Sequence, residues 1–238
     1  MAIGAFHRGR HFAAVSPDLA ATVERWTRHH CQVITLGLPE TSFASAPPDP
    51  KVGAPLLVAV NRGFQRRKNI TALLEAFSSI RRFRPGTRLA LLGYGHEEGG
   101  GAHQWAKGRA LCDGVDFVGE QRHDQVLDWL RRADLCVHPA YEEPLGMAVI
   151  EALAQGVAVV ASTRAVGPRW ILDDEKGGVL VDTCVPDKLA DVCLRLLADP
   201  DRRHHLAARG LAMARKRFTI EACAKATLQR LAEIRAAP

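Results

Sequence analysis

From Leu56 onward, short continuous apolar runs alternate with stretches whose apolar residues recur every third or fourth position. The runs are too short for helices and read as strands buried on both faces; the periodic stretches read as amphipathic helices. Leu56–Val60 is the first such strand. Ile70, Leu73, Leu74, Phe77 and Ile80 then form a helical stripe that Asn69 is expected to cap and Pro85-Gly86 to end. Strands are predicted at 89–92, 115–118, Leu135–His138, 157–161 and Val179–Val181, with helices at 104–112, 124–133 and 147–155 between them. The tail is helical, with one apolar stripe at Leu189, Val192, Cys193, Leu196 and Leu197 and another at Ile220, Cys223, Thr227, Leu231 and Ile234. Regular strand–helix alternation predicts an α/β domain: a parallel sheet with helices on both faces and a helical C-terminus.

Residues 1–36 follow a different rhythm. Residues 1–11 show little periodicity and are expected to fray. A short strand near Phe12, a helix opened by Ser16-Pro17 and running to about His30, and a strand over 31–36 come next. Residues 37–54 hold Pro39, Pro47, Pro48 and Pro50 and read as a linker to a domain spanning 55–238.

Composition narrows the class. The 238 residues are 47% hydrophobic and 24% charged, which a folded domain requires and a disordered chain lacks. No apolar run approaches the ~20 residues that span a bilayer, and the N-terminus lacks the apolar core of a signal peptide, so a cytoplasmic protein is expected. Six scattered cysteines with no Cys-x-x-Cys pair read as reduced and mostly buried. The net charge is +6, with arginine pairs at 66–67, 81–82, 131–132 and 202–203. Aromatics at 6% are too few to interleave with these pairs as a nucleic-acid surface needs, so no nucleic-acid partner is expected. Solvated helix faces account for most of the pairs; weak attraction for an anionic membrane surface, at the inner face of a membrane, or for a phosphate-bearing substrate is the other reading.

The chemistry concentrates after the strand at 135–138. Pro139 ends that strand, Pro144 and Gly146 mark a turn, and a helix begins at Met147 and stops at Gly156. A strand–loop–helix unit of this kind places ligands at the carboxyl edge of an open sheet, and the first N–H groups of the helix favour an anion. Glu143 and Glu151 lie eight residues apart, about 80° beyond two full turns in a continuous helix, so both carboxylates can face one cleft. A second basic loop, Arg62 to Lys68, follows the first strand, with Arg66 and Arg67 expected to point outward. No Gly-x-Ser-x-Gly elbow or P-loop occurs. His29-His30-Cys31 has the wrong spacing for one metal ion, and Asp173-Asp174 and Asp199-Pro-Asp201 read as a turn and helix caps.

Glu143-x7-Glu151, with Pro-Leu-Gly-Met after the first glutamate and the second opening Glu-Ala-Leu-Ala-x-Gly ahead of an apolar strand, resembles the group 1 (family 4) retaining glycosyltransferases of the GT-B fold. The resemblance covers about residues 55–235. It implies a Rossmann-like donor-binding domain, with residues 1–36 a remnant of an N-terminal domain most of which is missing. It implies a UDP- or GDP-activated sugar as donor, no cofactor and no metal, in keeping with the lack of an Asp-x-Asp where a divalent ion would bridge the diphosphate. By resemblance Arg62 and Lys68 contact the donor phosphates, and the N–H groups of Leu145, Gly146 and Met147 face the phosphate and sugar. Glu151 takes the ribose hydroxyls, and Glu143 lies at the sugar as the catalytic carboxylate. Gly93, Gly95, Val118, Gly119 and Glu120 fall where the family lines the base pocket. Trp170 stands where the family usually has glutamate. The reaction implied is transfer of a hexose-type sugar to a hydroxyl of a glycan, lipid or small molecule, in glycan, cell-surface polysaccharide or glycolipid biosynthesis. Rival readings are a donor-binding module without catalysis, completed by a second subunit that supplies the missing domain or left as a truncated remnant, and the same fold used for epimerase or phosphorylase chemistry.

Overall fold

A computed structural model describes residues 11–49, 53–173 and 175–236. The expected fraying of the first residues, residues 50–52 of the proline-rich stretch and Asp174 therefore lie outside the described residues, except His11 at the edge of the first strand.

The short N-terminal strands β1 (Phe12–Ala14) and β2 (Cys31–Val33) pair in parallel as a sheet of their own, joined by helix α1 (Pro17–Thr27). The main sheet comprises β3 (Leu56–Val60), β4 (Arg88–Leu92), β5 (Val115–Gly119), β6 (Leu135–His138), β7 (Val159–Ser162) and β8 (Val179–Val181). All its pairings are parallel, in the order β5-β4-β3-β6-β7-β8. Helices α2 (Ile70–Phe83), α3 (Gly101–Lys107), α4 (His123–Arg131), α5 (Met147–Ala154) and α6 (Val166–Ile171) make the crossovers, and α7 (Pro186–Ala198), α8 (Pro200–Arg217) and α9 (Ile220–Ala236) close the chain. The expected α/β architecture, parallel sheet and helical C-terminus are all present.

Alternation along each central strand splits the core in two. Leu57, Ala59, Leu89, Leu91, Leu135 and Val137 face a layer built on α2 and α7. Val58, Ala90, Leu92 and Cys136 face a layer built on α5 and α8. Both faces being covered, the strands must be apolar throughout, which is the continuous pattern read in the sequence. Each fully buried Leu or Phe, such as Leu91 or Phe77, contributes about 2–3 kcal/mol by leaving water.

Some local expectations need correction. Asn69 precedes α2 but does not cap it: its backbone is left-handed (φ 56°) and its amide is engaged elsewhere. Asp199 does cap α8, accepting from the Arg202 N–H. Cys31, Cys136 and Cys193 are buried and Cys112 and Cys223 partly so, but Cys184 is exposed in the turn before α7. The stripe on α9 is only half covered, with Ile220 and Leu231 each about half exposed, because the helix runs past the main sheet toward β1 and β2. The proline-rich stretch is strapped down rather than loose: Gln155 Nε2 donates to the Ser42 carbonyl (2.6 Å) and Leu38 exchanges backbone hydrogen bonds with Phe218 and Ile220. Gly156 ends α5 at φ 66°, and a Cβ there would meet Pro47 Cα at 2.7 Å. This close approach accounts for the glycine.

Candidate functional site

Strand order fixes where the site must be. The chain leaves β3 toward β4 and β5 but leaves β6 toward β7 and β8. The loops after these two neighbouring strands therefore diverge, and a crevice opens between them at the carboxyl edge of the sheet. A cleft of about 480 Å³ occupies that position, lined by residues of the loops after β3, β4, β5 and β6 and by the first turns of α5.

The loop after β3 carries Arg62 and ends in a tight turn, Arg66–Lys68. Arg66 and Arg67 are exposed, as expected, whereas Lys68 is buried. Lys68 is held there by the left-handed Asn69, whose Nδ2 donates to the carbonyls of Pro139 (3.3 Å) and Thr183 (2.9 Å). Thr183 Oγ1 donates to the same Pro139 carbonyl (2.8 Å), and the Tyr141 N–H to the Arg67 carbonyl (3.1 Å). The loops after β3 and β6 are thus stitched together beneath the cleft. Lys68 Nζ then lies 2.7 Å from Glu143 Oε2, with the two side chains 10% and 16% exposed.

The loop after β4 needs its glycine. Gly93 adopts φ 113°, and any Cβ there would collide with the Asn61 carbonyl. Three backbone hydrogen bonds join this loop to its neighbours: Asn61 N–H to Leu92 O, Gly63 N–H to Tyr94 O and Gly93 N–H to Gly119 O. Of the five positions expected at a base pocket, Gly93 and Glu120 line the cleft, whereas Gly95, Val118 and Gly119 are not among its lining residues.

Glu143 and Glu151 both reach the cleft, but not by the helical geometry expected. The helix α5 begins at Met147, as expected, after Gly146 at φ 96°, so no continuous helix joins Glu143 to Glu151. Glu143 belongs to the preceding turn, fastened by the Gly167 N–H on its carbonyl (3.0 Å). Gly167 packs so closely on the Leu145 backbone that a side chain there would not fit. Glu151 sits one turn into the helix, on the face of Met147. Leu145, Gly146 and Met147 line the cleft beside it, where a helix start offers N–H groups without intrahelical partners. Burial pushes the Glu151 carboxyl above its ordinary range, an effect opposed by His123, whose Nδ1 lies 3.5 Å away.

Arg62, Lys68, Leu145, Gly146, Met147, Glu143 and Glu151 thus share one hollow. Sequence reasoning missed His138, Asn61 and His123. The first two had a readable signal, a polar residue ending an otherwise apolar strand at the sheet's carboxyl edge. His138 is 2% exposed with neither ring nitrogen partnered, and its Nε2 is 3.9 Å from Glu143 Oε2. Burial pushes its pKa down to about 4, helped by Lys68 and opposed by Glu143, so the ring is neutral. Trp170 turns away from the cleft, edge-on to Phe218 with the Arg217 guanidinium over its ring. Among the described residues no three His, Cys, Asp or Glu side chains gather as a metal site, and no helix is long and apolar enough to cross a membrane.

Residues 43–213 match the family model described as "Glycosyl transferases group 1". The lipopolysaccharide core biosynthesis glycosyltransferase LpsE of Rhizobium meliloti (strain 1021) is 35% identical over 184 residues, 77% of this chain and 52% of that protein. Among solved structures, sucrose-phosphate synthase (tll1590) from Thermosynechococcus elongatus superposes with a TM-score of 0.84 at 27% identity, covering 100% of this chain and 61% of that one. Anabaena Alr3699/HepE, crystallised in complex with UDP and glucose, also gives 0.84, at 19% identity over 98% of this chain and 66% of that one, a likeness of fold. The chain therefore spans about half the length of LpsE.

Proposed function

The chain belongs to the group 1 glycosyl transferases, and on that premise we propose that its cleft binds a UDP- or GDP-activated sugar for transfer, with retention, to an acceptor hydroxyl. The observation that carries this reading is the convergence of Arg62, Lys68, the start of α5 and Glu151 on one cleft at the β3/β6 switch point. A nucleotide diphosphate needs cations and N–H donors at one end and a fixed acceptor for its ribose hydroxyls at the other.

Charge grows on the leaving phosphate as the bond to the sugar breaks. Donors already in place at that phosphate stabilise the transition state more than the ground state. Arg62 and Lys68 supply fixed positive charge, and the N–H groups of Leu145, Gly146 and Met147 supply the helix end. With that charge met by the chain's own groups, transfer proceeds without a bound metal ion. Glu151 accepts from the ribose, and Glu143 lies beside the sugar. Gly93 and Glu120 border the base. The likeness to LpsE supports an acceptor in cell-surface glycan or glycolipid assembly, and residues 1–36 are read as part of an acceptor-side domain.

Incubation with UDP-glucose or a GDP-sugar and candidate acceptors tests the reaction. Release of UDP or GDP with an α-configured product from an α-linked donor, unchanged by EDTA, supports it; an inverted product or loss of turnover with EDTA refutes those parts. The second reading, donor binding without catalysis, draws on the 52% coverage of LpsE and predicts nucleotide binding with turnover only when a separate acceptor-side subunit is added.

A further inference from the structure

We propose that His138 reads the transferred sugar: its imidazole and the Glu143 carboxylate together hold one sugar hydroxyl, an assignment that rests on the nucleotide-sugar reading of the cleft. His138 ends β6 where the strand meets the cleft, and it lines that cleft although only 2% of it is exposed. Neither ring nitrogen has a hydrogen-bond partner in the protein. An unpartnered buried polar group destabilises the fold, so an apolar residue would serve the fold better. The three residues before it, Leu135, Cys136 and Val137, are apolar and buried.

Geometry then selects the ligand group. His138 Nε2 and Glu143 Oε2 are 3.9 Å apart, too far for a direct hydrogen bond. One oxygen ~2.8 Å from each would see them about 90° apart, an acceptable angle between two hydrogen bonds at a hydroxyl. A hydroxyl both accepts and donates, so it can take the imidazole N–H and give its own proton to the carboxylate. A phosphate oxygen can do only the first and would meet the negative charge of Glu143. Glu143 Oε2 already accepts from Lys68 at 2.7 Å, which fixes the carboxylate and leaves it a lone pair for the hydroxyl. The group held is therefore an alcohol of the sugar next to the diphosphate.

The test compares sugar with nucleotide. UDP, GDP, UDP-glucose, UDP-galactose, UDP-N-acetylglucosamine and GDP-mannose are titrated into the wild-type chain, His138→Leu and His138→Gln, with melting curves confirming that each variant folds. For the tightest-binding sugar nucleotide, the ratio of its Kd to that of its parent diphosphate is expected to rise about tenfold in His138→Leu. In His138→Gln, which keeps a donor, the ratio should rise less, and the diphosphate alone should bind all three proteins alike. Equal ratios in wild type and His138→Leu overturn the assignment, as does binding of diphosphates without any sugar nucleotide. If neither UDP nor GDP binds, the reading of the cleft itself has failed and this inference goes with it. Should one variant not fold, the other still decides, because His138→Gln with its ring donor replaced must fall between wild type and complete loss.

Discussion

The Lys68–Glu143 pair is the feature whose removal has the clearest expected cost. Its N–O separation is 2.7 Å and neither side chain is more than 16% exposed. Removing one partner of a fully buried pair costs about 3–5 kcal/mol, chiefly because the other charge is left uncompensated. Here the surviving charge borders an open cleft and can be partly rehydrated, so Lys68→Met and Glu143→Leu should each cost about 2–3 kcal/mol. The double variant buries no charge, and its cost should fall well short of the sum, with a coupling of about 2 kcal/mol. Urea unfolding of the four proteins at equal m-value measures this. Raising the salt to 1 M should change the coupling little, since a buried pair is poorly screened. Additivity within about 0.5 kcal/mol would refute the reasoning, because it would mean that the two charges are independently solvated. The consequence for function is that Glu143 holds the ammonium in place before any donor arrives. One N–H goes to the carboxylate and two remain for phosphate oxygens.

Two further outcomes follow from particular geometries. Gly93→Ala should cost more than about 2 kcal/mol in urea unfolding, since φ 113° is strained for any side chain and the Asn61 carbonyl leaves no space for a Cβ; a neutral result would mean the loop after β4 is not packed on β3 as described. His138 takes up fewer protons folded, with a pKa of about 4, than unfolded at its ordinary 6.5. Its contribution to stability is therefore present above pH 6.5 and lost as the pH falls toward 4, by about 3 kcal/mol in all. His138→Leu should lack this component, so its stability should fall less steeply over that window, and parallel curves would contradict the burial assigned to the ring.

How much of this was legible in the sequence depends on which interaction sets each feature. The central strands β3, β4, β6 and β7 are readable because both faces of each are covered, which leaves an apolar run in the sequence, whereas the edge strands β5 and β8 are only partly buried. Helix ends were less so: Asn69 has the residue type of a cap but serves as a clamp between Pro139 and Thr183, partners 70 and 114 residues away. Local propensity cannot foresee such partners. The shared orientation of Glu143 and Glu151 does not come from the spacing of a continuous helix, because Glu143 lies before the helix start at Met147 and tertiary packing of Gly167 against the turn does the positioning. His138 went unremarked because a lone histidine after an apolar run is usually core, and only the cleft above it distinguishes the case. The half-covered stripe of α9 could not be told from a buried one by periodicity, which reports amphipathicity and not what lies opposite.

The central claim is that the crevice between β3 and β6 grips a nucleoside diphosphate with Arg62 and Lys68 at its phosphates and Glu151 at its ribose. Calorimetric titration of UDP and GDP into the wild-type chain, Arg62→Ala and Glu151→Ala tests it most directly. One saturable site per chain is predicted, weakened about tenfold or more by either substitution. No binding of either nucleotide at millimolar concentration, or binding that both variants leave unchanged, would contradict it.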